Sequence, residues 1–136
     1  MPISSNLSKS PFEINHPKER WKPNIDNTGE NSQNYFAPLI ENIRKKIYDW
    51  RLFGYEGISE TSRHLLNYWF NTPHLSGFQY YFGQRESVET VIFLFEKMQI
   101  RDPSDLMKLD SLGLSKQLLN DSWLRLVLKQ ATGTGK

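Results

Sequence analysis

Residues 131–136 read ATGTGK, two glycines, two hydroxyls and a lysine within six positions. These residue types suit the chemistry of holding a phosphate. Glycines let consecutive backbone N–H groups turn inward around phosphate oxygens, because no Cβ blocks the required backbone angles. A lysine ammonium beside them neutralises the β- and γ-phosphates, and the hydroxyl that follows the lysine ligates Mg²⁺. Here Gly133 and Gly135 bracket Thr134, and Lys136 takes the lysine position. The first glycine of the general phosphate-loop pattern is replaced by Gln130. The position of the Mg²⁺ hydroxyl would be 137, one past Lys136, so the sequence reads as a phosphate loop cut within its motif.

A phosphate loop has to be entered from a strand and followed by a helix whose N-terminus faces the anion. The preceding run SWLRLVLKQ supplies the entry. Leu124, Leu126 and Leu128 alternate with Arg125, Val127 and Lys129, which predicts a strand over 123–130. Its parallel neighbours are not in the sequence, so its backbone groups should be poorly satisfied and 131–136 should hold no fixed loop shape.

Upstream of that strand the pattern is helical. In FAPLIENIRKKIYDWRLFG the apolar positions Leu39, Ile40, Ile43, Ile47 and Trp50 recur at spacings of three and four, and Gly54 suits the stop. Ser59 is placed to cap a second helix whose stripe is Leu65, Leu66, Trp69 and Phe70. FQYYF at 78–82 is short and aromatic, suited to a strand or an extended approach. QRESVETVIFLFEKM then predicts a third helix, with Val88, Val91, Ile92, Phe95 and Met98 on one face and Glu86, Glu89 and Thr90 largely on another. A short helix starting at Pro103, or capped by Ser104, fits the stretch that follows. Residues 1–35 carry Pro2, Pro11, Pro17 and Pro23 and read as an irregular arm, which Phe12, Ile14 and Trp21 would pin to a neighbouring surface.

Composition narrows the chemistry. The 136 residues include no cysteine, which excludes disulfides, thiolate metal sites and thiol catalysis. Net charge is +2, too small by itself to imply a polyanion partner. No apolar run has the length of a membrane span or the centre of a signal peptide, which places the expected location in the cytoplasm, away from membranes.

The combination of segments carries a family resemblance. SPFEINHPKERWKP (10–23), PLIENIRKKIYDWRLFGYEGISETSRHLLNYWF (38–70), FQYYFGQRESVETVIFLFE (78–96) and LRLVLKQATGTGK occur in that order. Together they resemble the N-terminal region of DEAD/DEAH-box helicase-like proteins related to the restriction subunit of type III restriction enzymes. Motors of this kind commonly read Ala-Thr-Gly-Ser/Thr-Gly-Lys-Thr at the phosphate loop, without the first glycine of the general motif. The resemblance implies a mainly α fold with a short β portion. A helical N-terminal region would lead into the first strand and phosphate loop of a truncated RecA-like α/β lobe. The division it implies is an arm at 1–35, a helical region at 36–76 and the start of the ATPase lobe at 77–136. The implied function is ATP-dependent translocation on DNA, possessed by the parent as helicase or restriction endonuclease. ATP and Mg²⁺ would be its cofactors, and DNA and a modification or specificity subunit its partners. Gln84 would contact adenine, since its amide donates and accepts at once. Tyr81 or Phe82 would stack on the base, a looser assignment. Gly133, Thr134, Gly135 and Lys136 would hold phosphates. Gln84 lies 52 positions before Lys136, so IRDPSDLMKLDSLGL would be an insertion between them. The Mg²⁺ carboxylates, the arginine finger and the second lobe would lie beyond residue 136, so this stretch alone should not hydrolyse ATP.

Other constellations have plainer readings. His16, His64 and His74 lack metal-ligand spacing, and no metal site is expected. DPSDLMK holds a nuclease's residue types in the wrong order, and a capped short helix explains it. Arg44, Lys45 and Lys46, with Trp50 and Arg51, read as a solvated helix face, with contact to a phosphate backbone as the other use. The aromatics of 68–82 read as packing, with stacking on single-stranded bases as the other use of such rings. The competing function is a small helical protein-interaction module with an incidental Gly/Thr tail.

Overall fold

Helix α1 spans Ala37–Leu52 and ends in a motif written into its last residues. Gly54 has φ +79° and donates its N–H to the Arg51 carbonyl, while Tyr55 donates to the Trp50 carbonyl at 3.0 Å. This pair of bonds is a Schellman cap, which closes the orphan carbonyls of the last turn. Tyr55 itself has φ +60° and is fully buried, and its ring meets Trp50 edge to face at 4.8 Å. The turn therefore delivers an aromatic side chain into the core directly after the helix stops.

The computed structural model describes residues 10–19, 37–109 and 126–128. Within them the chain is mainly helical and no strand forms. Helix α2 covers Glu60–Phe70, with Ser59 at its N-cap accepting the Ser62 N–H. The Glu96 carboxylate reinforces that end, accepting from the Ser62 hydroxyl at 2.8 Å. A negative charge beside a helix N-terminus is favourable because the exposed N–H groups carry partial positive charge. Helix α3 covers Phe82–Ile92 and passes into a π-helical turn at Phe93–Lys97, marked by Met98 N–H donating to Phe93 at 2.9 Å. A 3₁₀ helix at Pro103–Lys108 follows; Asp102 caps it, and Pro103 sits where no N–H is needed. The cap is thus Asp102 rather than Ser104.

One core unites these pieces. Leu39, Ile47 and Trp50 of α1, Tyr55, Leu66 of α2, Phe93 and Leu94 of the π turn, Ile100 and Leu109 are buried together. Residues on both sides of position 77 share it. Asn42 fixes the far end by donating to the Leu109 carbonyl at 2.6 Å. No helix among the described residues is long and apolar enough to cross a membrane.

The packing corrects several expected faces. Ile40 and Leu65 are exposed, so the buried stripes of α1 and α2 are narrower than their apolar patterns. On α3 the correction is larger: Val91 and Phe95 are exposed, while Glu89 is fully buried. The π turn explains Phe95, because an extra residue in the turn rotates everything after it relative to an α-helical count. Phe93 and Leu94 consequently take the core positions. Residues 78–81 are extended but join no ladder. Of the strand expected over 123–130, only 126–128 are described and no strand is assigned there; the rest, with 131–136, lies outside the described residues.

Candidate functional site

Gln84 occupies the third position of α3, straight after the extended aromatic segment. Its Oε1 accepts the Tyr81 N–H at 2.9 Å, satisfying one of the donors a helix start leaves open. Tyr81 is stacked face to face with Phe12 of the arm, at 5.1 Å and 15°. Phe82 is buried and lies under the Arg51 guanidinium, 5.5 Å from its ring centre. The arm is held by its backbone as well, Phe82 N–H donating to the Pro11 carbonyl at 2.8 Å. Phe12 is thus one of the residues expected to pin the arm, while Ile14 is exposed. Trp21 and the phosphate-loop residues Gly133, Thr134, Gly135 and Lys136 lie outside the described residues.

Beneath the first turns of α3 lies a buried polar network that the sequence did not announce. Glu89 accepts two hydrogen bonds from Arg51, from Nε and Nη2, each at 2.8 Å, and one from the Tyr55 hydroxyl at 2.7 Å. Arg85, one turn before Glu89, donates through Nη2 to the Tyr55 hydroxyl at 2.9 Å and to Asn71 Oδ1 at 3.1 Å. Its Nε stands 3.6 Å from Glu89 and has no hydrogen-bond partner. The five residues come from the end of α1, its cap, the end of α2 and α3. Burial alone would lower the pKa of Arg51, but the hydrogen bonds and charge of Glu89 outweigh it and hold the guanidinium above its ordinary value. Burial, then the Glu89 carboxylate, pushes the Tyr55 phenol up to about 12. Arg51 is therefore no part of a solvated basic face. The sequence signals that could have found the network were the Arg85–Glu89 spacing of four and the placement of Arg51 one turn before Gly54.

Above the network a cleft of about 360 Å³ opens between the end of α2 and the segment 71–82. Phe70, His74, Phe78 and Tyr80 form its aromatic wall, and Asn71, Gln79 and Arg85 bring polar groups to it. Tyr80 meets Phe70, His74 and Phe78 edge to face, at 77°, 81° and 85°. His74 Nε2 donates to the Trp69 carbonyl at 2.9 Å, which fixes its tautomer. Gln84 does not line this cleft. His64 stands exposed on α2, and no group of metal-ligating side chains occurs among the described residues. No family model, curated protein or solved structure matches this chain.

Proposed function

We propose that the chain is the N-terminal part of an ATP-dependent DNA translocase of the type III restriction-subunit-like group. In this reading Gln84 reads adenine, and Gly133, Thr134, Gly135 and Lys136 hold the phosphates, with Mg²⁺ bound by residues further along the parent protein. The supporting observation is the position of Gln84: first turn of a helix, entered from an extended aromatic segment, on a backbone tied down at both Tyr81 and Phe82. A recognition amide must be held rigidly to discriminate one base edge from another, because the alternative is an unpaired polar group.

The test uses the parent protein carrying the residues after Lys136. Lys136→Ala should abolish ATP hydrolysis while leaving the thermal midpoint unchanged. Gln84→Ala should raise KM for ATP about tenfold, the loss of roughly one hydrogen bond's worth of selectivity. Unchanged turnover in the lysine variant would refute the motor. So would a codon 137 that encodes neither Ser nor Thr. A second reading, a helical protein-interaction module, is favoured by the exposure of Leu52 and Phe53 at the end of α1 and of Leu75 after α2. A natural stop after Lys136 would select it.

A further inference from the structure

We propose that the aromatic cleft between the end of α2 and residues 71–82 receives one unstacked base of a single-stranded nucleic acid. The rings decide the type of contact. Tyr80 touches its three aromatic neighbours edge on, so the wall is built of rings set near right angles rather than of a closed stack. Phe78 is about half exposed at 53%, as is neighbouring Tyr68 at 52%. Exposing such rings costs free energy that a stacked planar ligand recovers. The volume of about 360 Å³ falls in the range of small-ligand sites.

Charge decides against the other familiar occupant of an aromatic box, a quaternary ammonium. No carboxylate lines the cleft among the described residues, and Arg85 already places its guanidinium over the Phe70 ring, 5.4 Å from its centre. A second cation would be repelled by the first. The network behind Arg85 sets two guanidiniums against the single directly bonded carboxylate of Glu89, with Glu86 acting on Arg51 from further off. A base bearing carbonyl acceptors, on a strand of phosphates, complements that balance. The amides of Asn71 and Gln79 offer both donors and acceptors to its edge. Recognition of unpaired bases by aromatic stacking with polar edge contacts is the general mode for single strands.

Gln84 does not line the cleft, although Phe82, one of the two rings named for stacking on adenine, does. The strand is therefore tested first without nucleotide and then in competition with it. The experiment titrates the full 136-residue chain with oligothymidylate in the absence of ATP, following the quenching of intrinsic tryptophan fluorescence, to which Trp69 at the cleft contributes as one of four tryptophans. An abasic strand of the same length and charge serves as comparison. Oligothymidylate should quench and bind about tenfold or more tighter than the abasic strand, and Phe78→Ala should lose about tenfold, the usual worth of one base-stacking ring. The exposure of Phe78 makes that variant safe for folding, and the abasic comparison needs no variant. Equal binding of the two strands would overturn the proposal, as would an unchanged Phe78→Ala. Displacement of the strand by free ATP would also overturn it, by assigning the cleft to the nucleotide. Loss of ATPase on Lys136→Ala with equal strand binding would leave the motor reading intact and sink this one alone.

Discussion

Glu89 is the residue on which most of the buried polar chemistry depends. It is fully buried, yet every bond it makes is charge-assisted or to a hydroxyl with matched geometry. A buried ion pair of this kind adds little net stability against an apolar substitute, but removing one partner leaves the others uncompensated. Glu89→Gln should therefore lose about 3–5 kcal/mol, read as a lower urea midpoint at unchanged slope. Tyr55 gives a second, independent handle. Its folded pKa is raised to about 12 against an ordinary value of 10.0. The unfolded chain thus releases the proton first, so the stabilisation is complete below pH 10.0 and is lost as pH rises towards about 12. Tyr55→Phe should flatten that alkaline limb of stability against pH while sacrificing its hydrogen bonds at neutral pH. An unaltered limb would show that another group governs it.

At the level of elements, caps decide where the helices stop and what they deliver. Gly54 has open space around it, so an added Cβ meets no atom, and only its positive φ resists substitution. Gly54→Ala should cost roughly 1–2 kcal/mol for that reason alone. A loss much larger than this in thermal unfolding would mean that the turn rearranges and withdraws Tyr55 from the core. The helices themselves were legible: Ser59, Gly54 and the apolar spacing of α1 located α1 and the start of α2 from residue types. The faces of α3 were not. Its pattern counted Val91 and Phe95 as core and Glu89 as surface, because periodicity assumes one helical pitch and an apolar interior. The π turn broke the first assumption, and Arg51 and Tyr55, arriving from the end of α1 and its cap, broke the second.

Across the whole molecule, the arm and the segment 71–82 depend on each other. Phe12 stacks on Tyr81, and the Pro11 carbonyl takes the Phe82 N–H, the donor at the start of α3. Phe12→Ala should accelerate hydrogen exchange at Phe82 by about tenfold, with little change at core amides such as Leu66, if the arm opens locally rather than with the core. Equal acceleration at both would instead make the arm part of the global folding unit. The sequence by itself determined the helical class of residues 37–109 and the caps at Ser59 and Gly54. These follow from local rules of backbone geometry and side-chain type that operate within a few residues. Only the tertiary structure decided that Glu89 is interior, that Arg51 is paired rather than solvated, and that the rings of 70–80 wall a cleft instead of filling a core. The first two depend on groups 38 residues apart meeting at one place, and the polar side of the cleft joins Asn71 to Arg85 across 14 residues. No pattern read along one helix contains the partner that will arrive from another.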